Sequence, residues 1–497
     1  MANAGYTQAK PLSTLQVLAF ACTAVPLAAL TIAVAVFLPQ YFASFGGLTL
    51  PIVGGIFATV RMLDLGVDFA LGIGMDRTAT PFGRYRPWMV LGAPILMLAV
   101  YMLFMAPPTV DSVYLIGWLL VMYLGTSILN LSHTAWASTL ATTYDERSRV
   151  FGALTGVGVI GAVIALLVPV FLPRLAGGPL LPSLTPGAPL PAGLDVHVIG
   201  WMIIVLTPLT VGLVVLATKE RIAPQEQGLK FRWRDYWELV TRPSMARVLL
   251  ADICLTLGPG WMSALYFYYF TLSRGFDRAA SSLLLLIYIA AGLVGAPLMG
   301  RLAMRIGKDK ATIVSTTFYS LTLIVVALVP RSNFLTMIGP MFFAGFMAAG
   351  FTVLTRAMTA DIADEVRLEQ GKERTGLLFA ITTLTAKLAG AFAIFLTFVV
   401  LDRVGFVPAA GAGNSPQAIH NLELVYMLGP IGFVMLGGAC FIGYKLTGER
   451  HAEIRRQLEA RDAALYDEAP VLASITGDPG DVDPPHGDGS NKIRAAE

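Results

Sequence analysis

The sequence predicts an all-α, polytopic membrane protein of about twelve transmembrane helices arranged as two halves of six. Three observations carry that reading: 56% of the 497 residues are apolar, only 13% are charged, and the charges gather in short clusters between long apolar stretches. An ordinary soluble domain does not distribute charge this way.

A membrane-spanning helix needs ~20 mostly apolar residues, because a rise of ~1.5 Å per residue then crosses a hydrocarbon core of ~30 Å. By that ruler the first six spans fall near 12–42, 50–74, 88–106, 112–140, 148–172 and 197–217. The second set falls near 245–270, 280–304, 311–330, 334–360, 375–401 and 421–447. The first apolar segment follows a single lysine, Lys10, and shows no cleavage site, so it reads as a retained span. Cys22, Cys254 and Cys440 all fall within spans, where they read as small buried apolar residues and not as a disulfide or metal framework.

The spans divide the chain into residues 1–217, a connection at 218–244, residues 245–447 and a tail at 448–497. The connection contains an amphipathic stretch with Phe231, Trp233, Tyr236 and Trp237 beside Arg232 and Arg234, which suits a helix on the membrane surface. A weak echo relates the halves: Gly72 to Arg86 follows span two, and Gly300 to Lys308 follows span eight. Duplicated halves are the usual construction of secondary transporters. The Pro- and Gly-rich stretch 173–196 reads as an irregular external loop. After Gly448 a short charged helix, Glu449 to Asp467, is expected to give way to a disordered tail. Arginine and lysine concentrate on the even-numbered connections, so both termini are expected on the cytoplasmic side of a cell inner membrane.

A charge at the bilayer centre costs at least about 2.5 kcal/mol on insertion scales, so ionisable residues deep in a span are functional candidates. Span two carries Arg61, Asp64 and Asp68 at spacings of three and four residues, which stack on one helical face. Two adjacent carboxylates with a guanidinium suit a proton or a small cation, since like charges resist joint ionisation. The competing reading is a buried ion pair that holds span two against a neighbour. Lys387 lies in the middle of span eleven among small residues and is expected to face Asp64 or Asp68 across a cavity.

In span four, Asn130, Ser132, His133 and Trp136 bring donors, an imidazole and an indole together, and are candidates for solute binding. Trp136 suits stacking on a sugar face; anchoring at the headgroups is the alternative. Arg356 is a further solute-binding candidate, although it and Asp252 lie nearer span ends, where local pairing is the simpler role. Asp76, Arg77, Arg84 and Arg86 between spans two and three suit a gate of ion pairs that form and break. Asp145 and Arg147 after span four, and Asp361, Asp364, Glu365 and Arg374 after span ten, suit the same gate. No Walker-type run, HExxH or CxxC occurs, and no enzyme active site is expected.

The stretch from Arg61 through Asp64, Asp68 and Asp76-Arg77-Thr78 to Gly83-Arg84-Tyr85-Arg86-Pro87-Trp88 resembles the glycoside-pentoside-hexuronide:cation symporter family. That family is the melibiose permease-like branch of the major facilitator superfamily. Thr134-Ala135-Trp136, Asp145-Glu146-Arg147, Asp361-Ile362-Ala363-Asp364-Glu365 and Lys387 extend the resemblance along the chain. It implies that Asp64 and Asp68 hold a coupling Na⁺, Li⁺ or H⁺ with Arg61 as their neighbour. It also implies that Lys387 sits beside the cation and sugar sites and that Trp136 lies near the sugar.

Several positions depart from the family pattern. Ala24 to Leu30 contains no acid where span one should carry a sugar-binding carboxylate, and Ser132 and Val157 stand where a second carboxylate and an arginine are expected. A galactoside is therefore disfavoured. Val67 and Leu129 replace side-chain oxygens near the cation site. That favours H⁺ as the coupling ion, with Na⁺ as the alternative. The expectation is cation-coupled symport of a sugar or glycoside-like solute by a monomer in contact with membrane lipid, with no cofactor and no nucleic-acid partner. An amphiphile or lysolipid transporter and a transporter-like sensor without flux are the alternatives.

Overall fold

The structure is a computed structural model that describes residues 12–78, 80–140, 144–175, 193–218, 220, 233–371 and 374–461. Residues 176–192 of the loop expected at 173–196, most of the first part of the connection (219 and 221–232) and residues 462–497 of the tail lie outside the described residues. So do the side chains of Asp76, Asp145 and Arg147.

The described chain is helical, and its helices include twelve long and apolar enough to cross a membrane. The first six run Thr14–Phe45, Leu50–Gly72, Arg86–Phe104, Ser112–Leu140, Arg149–Leu172 and Leu194–Ala217. The second six run Pro243–Ser273, Arg278–Ile306, Lys308–Leu328, Phe334–Gln370, Leu377–Arg403 and Pro416–Ala439. Local chemistry sets several ends. Ser13 and Gln16 form a reciprocal capping box at the start of span one. Asp277 accepts the backbone N–H of Ala280 at 2.6 Å to open span eight, and Gly307, at φ 94°, closes it so tightly that Lys308 begins span nine.

Spans one and seven, the first of each set of six, both contain a π-helical segment: Ala33–Phe37 and Tyr268–Ser273. Such wide turns mark places where a helix is bent for a purpose. The first packs against span seven just before the second, with the rings of Phe37 and Phe267 centred 5.0 Å apart.

Two span ends correct the sequence reading. Span ten, expected to stop near residue 360, continues to Gln370, so Asp361, Asp364 and Glu365 stand on its last turns and not in a connection. Span twelve stops at Ala439 and does not reach 447, because the chain turns at Gly443 (φ 67°) to bury Phe441, Tyr444 and Leu446. Those side chains join an apolar cluster with Leu239 of a short helix, Trp233–Val240, and with Ile454 and Leu458 of a C-terminal helix at 448–461. Both short helices were expected; their packing together under spans seven, ten and eleven was not.

The most extensive contacts between the first and last six spans are span two against span eleven and span five against span eight. Gly54 permits the first: a Cβ there would stand 2.9 Å from the Phe395 Cα.

Candidate functional site

A cavity of about 330 Å³ lies between spans one, two, four and eleven, at the small end of the roughly 300–1,000 Å³ of ligand pockets. Its lining combines apolar Leu30, Val34, Phe57, Met122 and Ile394 with polar or charged Arg61, Asp68, Ser127, Asn130 and Lys387.

The helical spacing of span two brings its three charges to this place, and each takes a different partner. Asp64 is 2% exposed. Arg61 Nη1 donates to its Oδ2 at 2.9 Å, and the Ser127 hydroxyl donates to its Oδ1 at 3.0 Å. The Arg61 guanidinium also lies 4.8 Å from the Tyr123 ring centroid. Asp64 is thereby fixed inside the first six spans. Asp68 instead accepts from Lys387 Nζ on span eleven, while its other oxygen is buried without a hydrogen-bond partner. The expected pairing across the cavity is present, and it selects Asp68 over Asp64.

Span four contributes differently from the sequence reading. Asn130 is exposed into the cavity. Ser132 is fully buried and donates to the carbonyls of Ile128 and Leu129. His133 is 3% exposed with Nε2 2.8 Å from the Phe20 carbonyl. Trp136 is fully buried edge-on to Phe20. In this conformation His133 and Trp136 therefore pack span four against span one, Ser132 is turned onto its own helix, and none of the three lines the cavity. Arg356 is likewise absent from the lining of this cavity; it donates weakly to Thr382 and Thr383 at 3.4 and 3.3 Å, near Asp252, which accepts from Thr385 at 3.3 Å. The residues missed are Ser127, Tyr123 and Thr126. With Asn130 they form a polar stripe at helical spacing in span four, a signal the sequence carried.

Among the described gate residues, several form clasps within one set of six spans. Glu220 accepts the backbone N–H groups of Arg84, Tyr85 and Arg86 at 2.7, 3.0 and 3.3 Å, capping the start of span three. Arg86 donates to the Thr218 carbonyl and lies over the Trp136 ring at 5.4 Å. Arg77 is exposed. Asp361 binds Lys308 Nζ at 2.5 Å, and Asp364 binds His451 of the C-terminal helix at 3.0 Å. Glu365 accepts from Ser244 at 2.8 Å, and Arg374 lies 3.9 Å from Glu238.

A bond between the two sets of six appears at the opposite face, where no gate was expected. Arg278 Nε donates to the buried Asp195 at 2.5 Å, with the guanidinium 4.5 Å from the Phe267 centroid. Beside it the Ser44 and Tyr268 hydroxyls are 3.0 Å apart.

Comparison with known proteins agrees with this architecture. The family described as MFS/sugar transport protein matches residues 19–448. The chain is 26% identical over 446 residues to the uncharacterized symporter YnaJ of Bacillus subtilis, covering 87% of this chain and 92% of that protein. It is 25% identical over 440 residues to the lactose permease of Lactobacillus delbrueckii subsp. bulgaricus (85% and 68% covered). It is 22% identical over 428 residues to the sodium-dependent lysophosphatidylcholine symporter 1-B of Danio rerio (80% of each). In fold it is similar to the nucleoside transporter NupG, with a TM-score of 0.60 at 12% identity over 87% of this chain and 99% of that one. With twelve membrane-crossing helices and this match across most of its length, the chain is a multi-pass membrane transporter of the major facilitator superfamily and belongs to the MFS/sugar transport protein family.

Proposed function

We propose that the protein is a secondary active transporter that carries a sugar or glycoside-like polar solute together with a proton, by alternating access between two six-span halves. The observation that carries this reading is the Lys387–Asp68 pair, which joins span eleven to span two on the wall of the cavity. A proton taken up on Asp68 cancels its charge and releases Lys387, whose ammonium then donates to an acceptor on the solute. Asp64, held by Arg61 and Ser127, lies one helical turn from the pair. A single chain encloses the cavity, which supports a monomer as the working unit.

Proton coupling is favoured over Na⁺ because Val67 and Leu129 bring no oxygen to the carboxylates, whereas Na⁺ seeks several oxygen ligands. With both termini in the cytoplasm of a bacterial-type inner membrane, the Asp195–Arg278 bond closes the external side, and the state is inward-facing. A second reading, transport of an amphiphile, draws on the apolar residues in the cavity lining and on the lysophosphatidylcholine symporter among the relatives.

The test is external pH in a lightly buffered suspension of deenergised cells expressing the protein, given glycosides, pentoses, uronic acids and lysolipids in turn. Alkalinisation with one sugar, lost in Asp68→Asn, is the expected result. Uptake that demands Na⁺ without alkalinisation overturns proton coupling, and a response to lysolipids alone overturns the sugar reading.

A further inference from the structure

A second cavity, of about 650 Å³, lies away from the transport site, where the Trp233–Val240 helix, the start of span seven, the end of span ten and the turn after span twelve converge. Three basic and three acidic side chains line it: Arg242, Arg247 and Lys445 against Glu238, Glu365 and Glu369. Arg242 is neutralised by Glu369 at 2.8 Å, and Glu238 accepts from Gln370 at 2.7 Å with Arg374 nearby. Arg247 donates to the carbonyls of Ile442 and Gly443, and Lys445 is exposed; among the described residues neither makes an ion pair. Among the described residues Glu365 accepts a single hydrogen bond, from the Ser244 hydroxyl.

Tyr444 supplies an independent sign of a ligand. It lines the cavity at 5% exposure, yet its phenolic oxygen is buried with no hydrogen-bond partner. A native structure seldom leaves such a group unsatisfied without a bound molecule to complete it. Burial, with Glu365 and Asp361 nearby, pushes the phenol up from its ordinary value, so it stays protonated as a donor.

The structure assigns this cavity as a binding site for a phospholipid headgroup that carries a phosphate and a primary ammonium. Two cations and the Tyr444 hydroxyl suit phosphate oxygens, and Glu365 suits an N–H donor. Glu365 beside the two cations calls for an N–H donor that a purely anionic headgroup lacks, and a quaternary ammonium has no hydrogen to give it. A lipid is favoured over a soluble zwitterion because the cavity lies at the ends of membrane spans. Its surroundings expose Trp237 (69%), Ile442 (68%) and Leu250 (49%), a surface suited to acyl chains.

The experiment measures lipid retention by native mass spectrometry and thermal unfolding of the purified full chain, without any transport assay, so its failure leaves the transport reading untouched. Phosphatidylethanolamine is compared with phosphatidylcholine, phosphatidylglycerol and free phosphoethanolamine. The expected result is preferential retention of phosphatidylethanolamine, a raised melting temperature with that lipid, and at least a tenfold loss of affinity in Tyr444→Phe and in Lys445→Ala. Both variants keep the packing, since one retains the ring and the other alters an exposed side chain. Equal effects of all the lipids, wild-type binding by both variants, or an equal effect of free phosphoethanolamine overturns the assignment. A Tyr444→Phe protein that is more stable without lipid and still binds as wild type reduces the hydroxyl to a packing defect and likewise overturns it.

Discussion

Asp64 and Asp68 are identical in kind and one helical turn apart, yet their surroundings give them different work. Asp64 has both oxygens engaged inside the first six spans, whereas Asp68 has one oxygen on Lys387 and one buried without a partner. Asp68→Asn is expected to abolish concentrative uptake while the protein still reaches the membrane; normal accumulation by that variant contradicts the proposed coupling. Asp64→Asn should act first on stability. Removing one member of a buried pair costs about 3–5 kcal/mol, which the 27% exposure of the Arg61 side chain lowers to roughly 2 kcal/mol. Thermal unfolding in detergent checks this, and the larger loss should be in Asp64→Asn, not Asp68→Asn. The candidacy of both aspartates was legible because ionisable side chains are scarce in spans. Their division of labour was not, because Ser127 and Lys387 are distant in the chain.

At the scale of elements, the Gly83 to Arg86 stretch works as a helix cap. Gly83, at φ 117°, turns the chain so that three successive N–H groups meet the Glu220 carboxylate. Glu220→Gln is expected to remove the charge–dipole and charge-assisted terms, lowering stability by roughly 1–2 kcal/mol. Thermal unfolding with hydrogen exchange at the start of span three would show it; unchanged protection there would contradict the cap. The motif was visible in the sequence, but its arginines drew attention to side-chain gating while the backbone amides make the contact with Glu220. Span ten gives the same lesson. Its acids looked like loop residues because the apolar pattern stops near residue 360, yet Lys308 and His451 hold the helix through to Gln370.

For the whole molecule, the bond that bears on the proposed alternating access is Asp195–Arg278 between spans six and eight. Arg278 is 32% exposed, so the pair is worth roughly 1 kcal/mol, about a fivefold shift between closed and open states. Asp195→Asn should accordingly raise the labelling rate of a cysteine placed at Ser44 by about that factor. The double exchange Asp195→Arg with Arg278→Asp should return it towards the parent rate. No change in either variant would remove this pair from the gate.

The sequence by itself determined the all-helical membrane class, eleven connections, the family and the charged face of span two, because hydropathy, scarce intramembrane charge and a local motif are properties of adjacent residues. Only the tertiary structure decided that His133 and Trp136 face span one and not the cavity, and that Lys387 selects Asp68. It alone joined Asp195 to Arg278 between the two sets of six spans. In a span that is apolar nearly all round, hydropathy does not fix the rotation of the helix about its axis; contacts with helices remote in sequence do.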